Sequence, residues 1–114
     1  MKKKQIIKSS LEYTEIIKKC PYKKNPYFLI YYRKNNTYNR YGISIPKKTG
    51  KANIRNKIKR RLKNIIDTNE FAIHIPYDYV IIIRKRVLEL DYKQMEDNFI
   101  TLIKKIGEKN EEKK

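Results

Sequence analysis

The sequence predicts an α+β fold, a two-layer α/β sandwich with its elements in the order αβββαβα. Three observations carry this. Strand-like segments come early, and a strand–helix–strand unit follows them. Two segments, near 52–67 and 91–106, repeat apolar residues at the helical period of about 3.6. A third, 77–84, is a near-continuous apolar run, as expected of a strand buried on both faces. The 114 residues make one domain, long enough to bury its own core.

The elements follow in order. Ser9 and Glu12 have capping-box spacing, so a first helix is expected from Ser9. Leu11, Tyr13, Ile16, Ile17 and Cys20 form its apolar side, and Pro21 ends it. Tyr22, Lys23 and Lys24 are open to a short strand. Residues 27–33 are aromatic and branched, which suits a pleated, half-buried surface. Alternation puts Tyr27, Leu29, Tyr31 and Arg33 on one face and Phe28, Ile30 and Tyr32 on the other. Residues 35–39 have the asparagine-rich chemistry of a loop, and 40–45 read as the returning strand of a hairpin. After Pro46 and a loop through Gly50, the second helix aligns Ile54, Ile58, Leu62, Ile65 and Ile66. The third helix starts near Asp91, which with Gln94 offers another capping pair. Met95, Phe99, Leu102, Ile103 and Ile106 form its stripe, and Gly107 is expected to stop it. Residues 1–8 and 107–114 are expected to be flexible.

Charge narrows the function. Lys and Arg number 29 against 12 Asp and Glu, a formal charge of +17. Such an excess repels itself unless a polyanion is near, which points to nucleic acid or an anionic membrane. The longest wholly apolar stretch is 80–83, far below the roughly 20 residues that span a bilayer. Lys2, Lys3 and Lys4 resemble the start of a signal peptide, but Gln5, Lys8, Ser9 and Ser10 interrupt any apolar region after them. The chain is therefore expected in the cytoplasm, away from membranes. One cysteine, Cys20, excludes an internal disulfide framework, and with the single histidine leaves too few soft ligands for a zinc site.

Residues 42–62 are the informative stretch. They read as a strand, a glycine-containing basic loop and an amphipathic helix with a dense cationic face. Asn56, Lys57, Lys59, Arg60, Lys63 and Asn64 lie opposite the apolar stripe, and Arg55 and Arg61 flank it. A solvated charged face is the bland reading. Against it, no acidic residue between Lys51 and Asn64 could pair these cations.

This stretch resembles the signature of the bacterial ribonuclease P protein family: a strand ending in Ser-Lys-Lys, then Gly-x-Ala, then an Arg-Asn-Arg run on the next helix. Lys47, Lys48, Gly50, Ala52, Arg55, Asn56, Lys59 and Arg60 match it. Pro46 stands in place of the usual Ser, and Lys57 in place of the second Arg. Lys57 keeps the charge without the bidentate fork. Residues 76–84 resemble the family's later strand, Tyr13 and Ile17 fall where its first helix often carries Phe, and 28–31 resemble its first long strand.

The resemblance implies a left-handed βαβ crossover around the basic helix, against the usual rule, as in the second domain of a small-subunit ribosomal protein and in elongation factor G. It implies the protein subunit of a ribonucleoprotein endonuclease that removes the 5′ leader of precursor tRNA. The partners would be a catalytic RNA subunit and precursor tRNA, with no obligate protein partner. Mg²⁺ would be held mainly by the RNA, the protein alone would be inactive, and the protein would carry no catalytic residue, metal or cofactor of its own. Lys47, Lys48, Lys51, Arg55, Asn56, Lys57, Lys59, Arg60, Arg61 and Lys63 would meet the RNA subunit. Tyr13, Ile17, Tyr27, Tyr31 and Arg33 would line a cleft for the single-stranded leader, Ile17 as a wall. Stacking on tyrosine tolerates any base sequence; core packing is the competing reading for Tyr13 and Tyr31. The residues leave open whether Lys23, Lys24, Arg33 and Arg40 touch RNA.

A ribosomal protein would share the size and charge but does not require this motif. A stand-alone nuclease needs convergent carboxylates or histidines. His74, in a short apolar stretch without a second histidine, reads as a packing or loop residue, and Asp67 and Glu70 read as surface charges.

Overall fold

The computed structural model describes residues 6–7, 10–35, 39–69 and 77–112, with side chains to Ile106. The predicted Ser9 cap, the centre of the 35–39 loop, Glu70 and His74 lie outside them. The elements are α1 (Ser10–Lys19), β1 (Tyr22–Lys24), β2 (Phe28–Lys34), β3 (Arg40–Ser44), α2 (Ala52–Thr68), β4 (Tyr77–Ile83) and α3 (Tyr92–Glu112). Short 3-10 turns at Lys47–Thr49 and Lys85–Glu89 precede α2 and α3. This is the predicted order, with α2 and α3 layered on one face of the sheet and α1 on part of the other.

The sheet runs β1-β2-β4-β3. This corrects the hairpin expectation: β2 and β3 do not pair. β4 lies between them, antiparallel to β2 and parallel to β3. The reason is burial. Six of the seven β4 residues, all but Ile82, are buried, and only a central strand covered on both faces can bury such a run. Asn39 helps, its side-chain oxygen accepting from the Tyr77 backbone N–H at 2.9 Å.

One face carries the main core. Phe28, Ile30, Tyr79, Ile81 and Ile83 from the sheet pack against Ile58, Leu62, Ile65 and Ile66 of α2 and Met95, Phe99, Leu102, Ile103 and Ile106 of α3. Phe28 meets Phe99 edge-on, ring centres 5.5 Å apart. Tyr41 stacks on Tyr79 at 5.5 Å, so these tyrosines serve packing. Ile54, expected in this stripe, is 37% exposed: it sits in the first turn of α2, against Gly50.

The third helix is capped as predicted. Asp91 Oδ1 accepts from Gln94 N at 2.8 Å, and Gln94 Oε1 accepts from Asp91 N at 3.0 Å. Gly107 does not end it; the helix runs to Glu112.

α1 covers part of the opposite face. Ile16 is fully buried with Ile7 and Val80, and Tyr13, Cys20, Tyr31 and Ile82 pack around them. Tyr13, Ile16 and Cys20 fall on one line at i, i+3 and i+7. Leu11 and Ile17 lie off that line and are 81% and 38% exposed, so the predicted apolar side is wider than the one that packs. Among the described residues no helix is long and apolar enough to cross a membrane.

Candidate nucleic-acid interface

The half-covered face is set by strand register. Tyr31 pairs with Val80, Leu29 with Ile82 and Arg33 with Asp78 across β2 and β4. Gly42 pairs with Val80 and Ser44 with Ile82 across β3 and β4. Cross-strand partners share a face, so all of these lie on the α1 side. Tyr13 descends from α1 onto Gly42. A Cβ on Gly42 would overlap the phenol, standing 2.8 Å from Tyr13 Cε2. Glycine is needed here for space. Tyr13 is half-buried, and burial raises its phenol pKa.

Tyr31 is partly exposed and meets Tyr22 with ring centres 5.4 Å apart, tilted by 52°. Tyr22 is 50% exposed. Sequence reasoning did not single it out, because its place opposite Tyr31 follows from strand register in the fold. Tyr13, Ile17 and Tyr31 thus share this side. Tyr27 does not join them. Asn25 Oδ1 accepts from the backbone N–H of both Tyr27 and Phe28, at 2.9 and 2.8 Å. That turn holds Tyr27 outside the strand alternation, against the main core, with the Arg86 guanidinium 5.8 Å from its ring centre.

Arg33 reaches the expected face but is engaged there by carboxylates. Asp78, 1% exposed, receives Arg33 Nε at 3.0 Å, Arg40 Nε and Nη2 at 2.8 Å each, and Asn35 Nδ2 at 2.7 Å. Burial alone would raise the Asp78 pKa, but the bonds from Arg40, Asn35 and Arg33 outweigh it and hold the carboxyl below its ordinary value. Glu12 of α1 accepts from Arg40 at 2.7 Å and Arg33 at 3.2 Å, and Glu15 lies 3.6 Å from Arg33. A buried carboxylate demands such partners.

The other end of the face has the opposite character. Where β4 leaves the sheet, a cavity of about 770 Å³ is lined by Lys24, Lys48, Ile82, Arg84, Lys85 and Arg86, with no carboxylate among the described residues of its wall. Arg86 pairs with Glu89 at 3.3 Å. Sequence reasoning did not assign Arg84, Lys85 or Arg86; the cation run behind an apolar strand is their signal.

The basic loop and α2 form a separate surface. Lys47, Lys48, Lys51, Asn56, Lys57, Arg60 and Lys63 are exposed, and Arg55, Lys59 and Arg61 partly so. Arg55 Nε donates to the Gly50 carbonyl at 3.2 Å, fixing the loop against the helix. Lys57, Arg60, Arg61 and Asn64 extend to Tyr92 in a shallow groove toward α3. Asn64 Nδ2 donates to the Tyr92 hydroxyl at 2.6 Å; Tyr92 was not singled out from sequence. Among the described residues no three His, Cys, Asp or Glu side chains converge as a metal site.

Comparison with known proteins finds matches over most of the chain. A family model described as Ribonuclease P matches residues 1–107. The ribonuclease P protein component of Mycoplasma capricolum is 44% identical over 108 residues, covering 93% of this chain and 99% of that protein. The component from Streptococcus agalactiae is 39% identical, covering 94% and 98%. A Staphylococcus aureus RNase P protein, in a mutant form with defective mRNA degradation activity, superposes with a TM-score of 0.86 at 28% identity, covering 92% of this chain and 90% of that one. The RNase P protein from Thermotoga maritima gives 0.78 at 33% identity, covering 82% and 90%.

Proposed function

The chain belongs to the bacterial ribonuclease P protein family, a protein component of tRNA processing, and we propose that it acts there by binding two RNAs on two surfaces. The catalytic RNA subunit docks on the basic loop and the cationic face of α2. The 5′ leader of precursor tRNA lies on the half-covered sheet face, against Tyr13 and Tyr31, with Ile17 as its rim and Tyr22 beside it. The observation that carries this is the pairing of accessible tyrosines with a cationic end, lined by no carboxylate among the described residues, on one open face. Unpaired bases stack on aromatic rings while cations follow the phosphates, a combination that tolerates many sequences.

Two predicted leader residues are reassigned. Arg33 works within the carboxylate network, and Tyr27 belongs to the main core; Lys24, Arg84 and Lys85 supply the cations instead. On α2, arginine forks give bidentate phosphate contacts and the lysines act as mobile charges. Mg²⁺ held mainly by the RNA supplies the hydrolytic chemistry, and the protein binds and orients the substrate.

Reconstitution with the cognate RNA subunit tests this. At low Mg²⁺ the protein should restore accurate cleavage of precursor tRNA, while protein freed of all RNA should cleave nothing. Site-specific cleavage by the free protein, or no stimulation of the RNA, contradicts the reading. The main RNA co-purifying with the chain should be one long non-ribosomal species.

A further inference from the structure

α1 is a ten-residue helix with Ile16 as its one fully buried side chain among those described. Isolated helices of that length are marginal in water, so something must hold α1 against the sheet. Besides the apolar packing around Ile16, polar contacts lie under its first turn. Arg33 and Arg40 each bond Asp78 in the sheet and present their outer Nη2 nitrogens to Glu12. The link therefore runs from β4, through arginines on β2 and β3, to α1.

We infer that Glu12 is a positioning residue: through Arg33 and Arg40 it latches α1 to the sheet, holds Tyr13 against Gly42, and so sets the gap between α1 and Tyr31 that admits a leader base. The inference rests on the leader reading above. Charge agrees with it. Among the described residues, two arginines at this end of the face meet three carboxylates, Glu12, Glu15 and Asp78. In a chain of net charge +17, this is a poor place for phosphate and a good one for a structural tie. Glu12 directly precedes Tyr13 and lies one turn before Ile16, so its tether acts on the residues that touch the sheet.

Glu12→Gln removes the charge and leaves Asp78 with its arginines. In the holoenzyme, affinity for precursor tRNA with a leader should fall about three- to tenfold, as for loss of a part-exposed charge-assisted pair. Affinity for mature tRNA should hold, and Glu12→Asp, which keeps a carboxylate there, should recover most of the loss. Hydrogen exchange on the full chain reads the latch itself: α1 amides should exchange faster in Glu12→Gln, with α2 amides unchanged. Unaltered α1 exchange overturns the latch whatever the tRNA result. With faster exchange, equal loss for both tRNAs or no recovery in Glu12→Asp overturns its link to the gap. A wild type that binds both tRNAs equally instead fails the leader reading and leaves the latch to stand or fall on exchange.

Discussion

Gly42→Ala adds one carbon at the point where α1 rests on the sheet. The backbone accepts alanine, because no described glycine has positive φ. The obstacle is Tyr13: the new Cβ would overlap the hydroxyl and stand 2.5 Å from Cζ and 2.8 Å from Cε2. Overpacking of this kind costs about 1–3 kcal/mol. Alanine in place of strand glycine returns about 0.5–1 kcal/mol. The net loss of up to roughly 2.5 kcal/mol should lower Tm by up to about 15 °C for a domain near this size. Thermal melts of four proteins test the cause: wild type, Gly42→Ala, Tyr13→Ala and the double variant. With Tyr13 removed, Gly42→Ala should cost nothing or stabilise slightly. The same loss in both backgrounds would refute the steric account. Leader binding should weaken with the single change, since the ring must leave its place.

The remaining predictions concern the basic helix and the buried aspartate. Arg60→Ala should weaken binding of the RNA subunit and reduce the salt slope by about one, with little change in Tm; unchanged affinity at moderate salt contradicts the docking assignment. The folded-state pKa of Asp78 lies below its ordinary value. Its stabilising contribution is therefore full above the unfolded aspartate value of about 3.9 and is lost as pH falls through the lower folded value. Asp78→Asn should thus lose stability near neutral pH and show a shallower decline in acid than wild type. Denaturant titrations across the acid range check this, and parallel declines would assign the acid sensitivity elsewhere.

Periodicity made the helices legible, because α2 and α3 bury residues that repeat every turn. The apolar run of 77–84 likewise announced a central strand. Its place between β2 and β3 was not legible, since adjacency in sequence favours a hairpin and only whole-sheet burial overrides it. The basic surface could be read because its residues are local to one loop and one helix. The carboxylate network could not: Glu12, Arg33, Arg40 and Asp78 come from four segments, and Arg33 alone looks like any surface cation. Tyr27 was misplaced because alternation was started one residue too early, inside the Asn25 turn. Tyr22 pairs with Tyr31 only through a register that sequence does not reveal.

The central claim is that the half-covered face holds the leader, and tyrosine replacement tests it most directly. Tyr13→Ala and Tyr31→Ala, each verified as folded, should weaken holoenzyme binding of leader-bearing precursor tRNA by about 1–3 kcal/mol per stacked base. Binding of mature tRNA should stay unchanged, and the loss should depend little on salt, since a removed ring releases no counterions. Equal weakening for precursor and mature tRNA in folded variants would contradict the account and return both tyrosines to core packing or to a contact with the tRNA body.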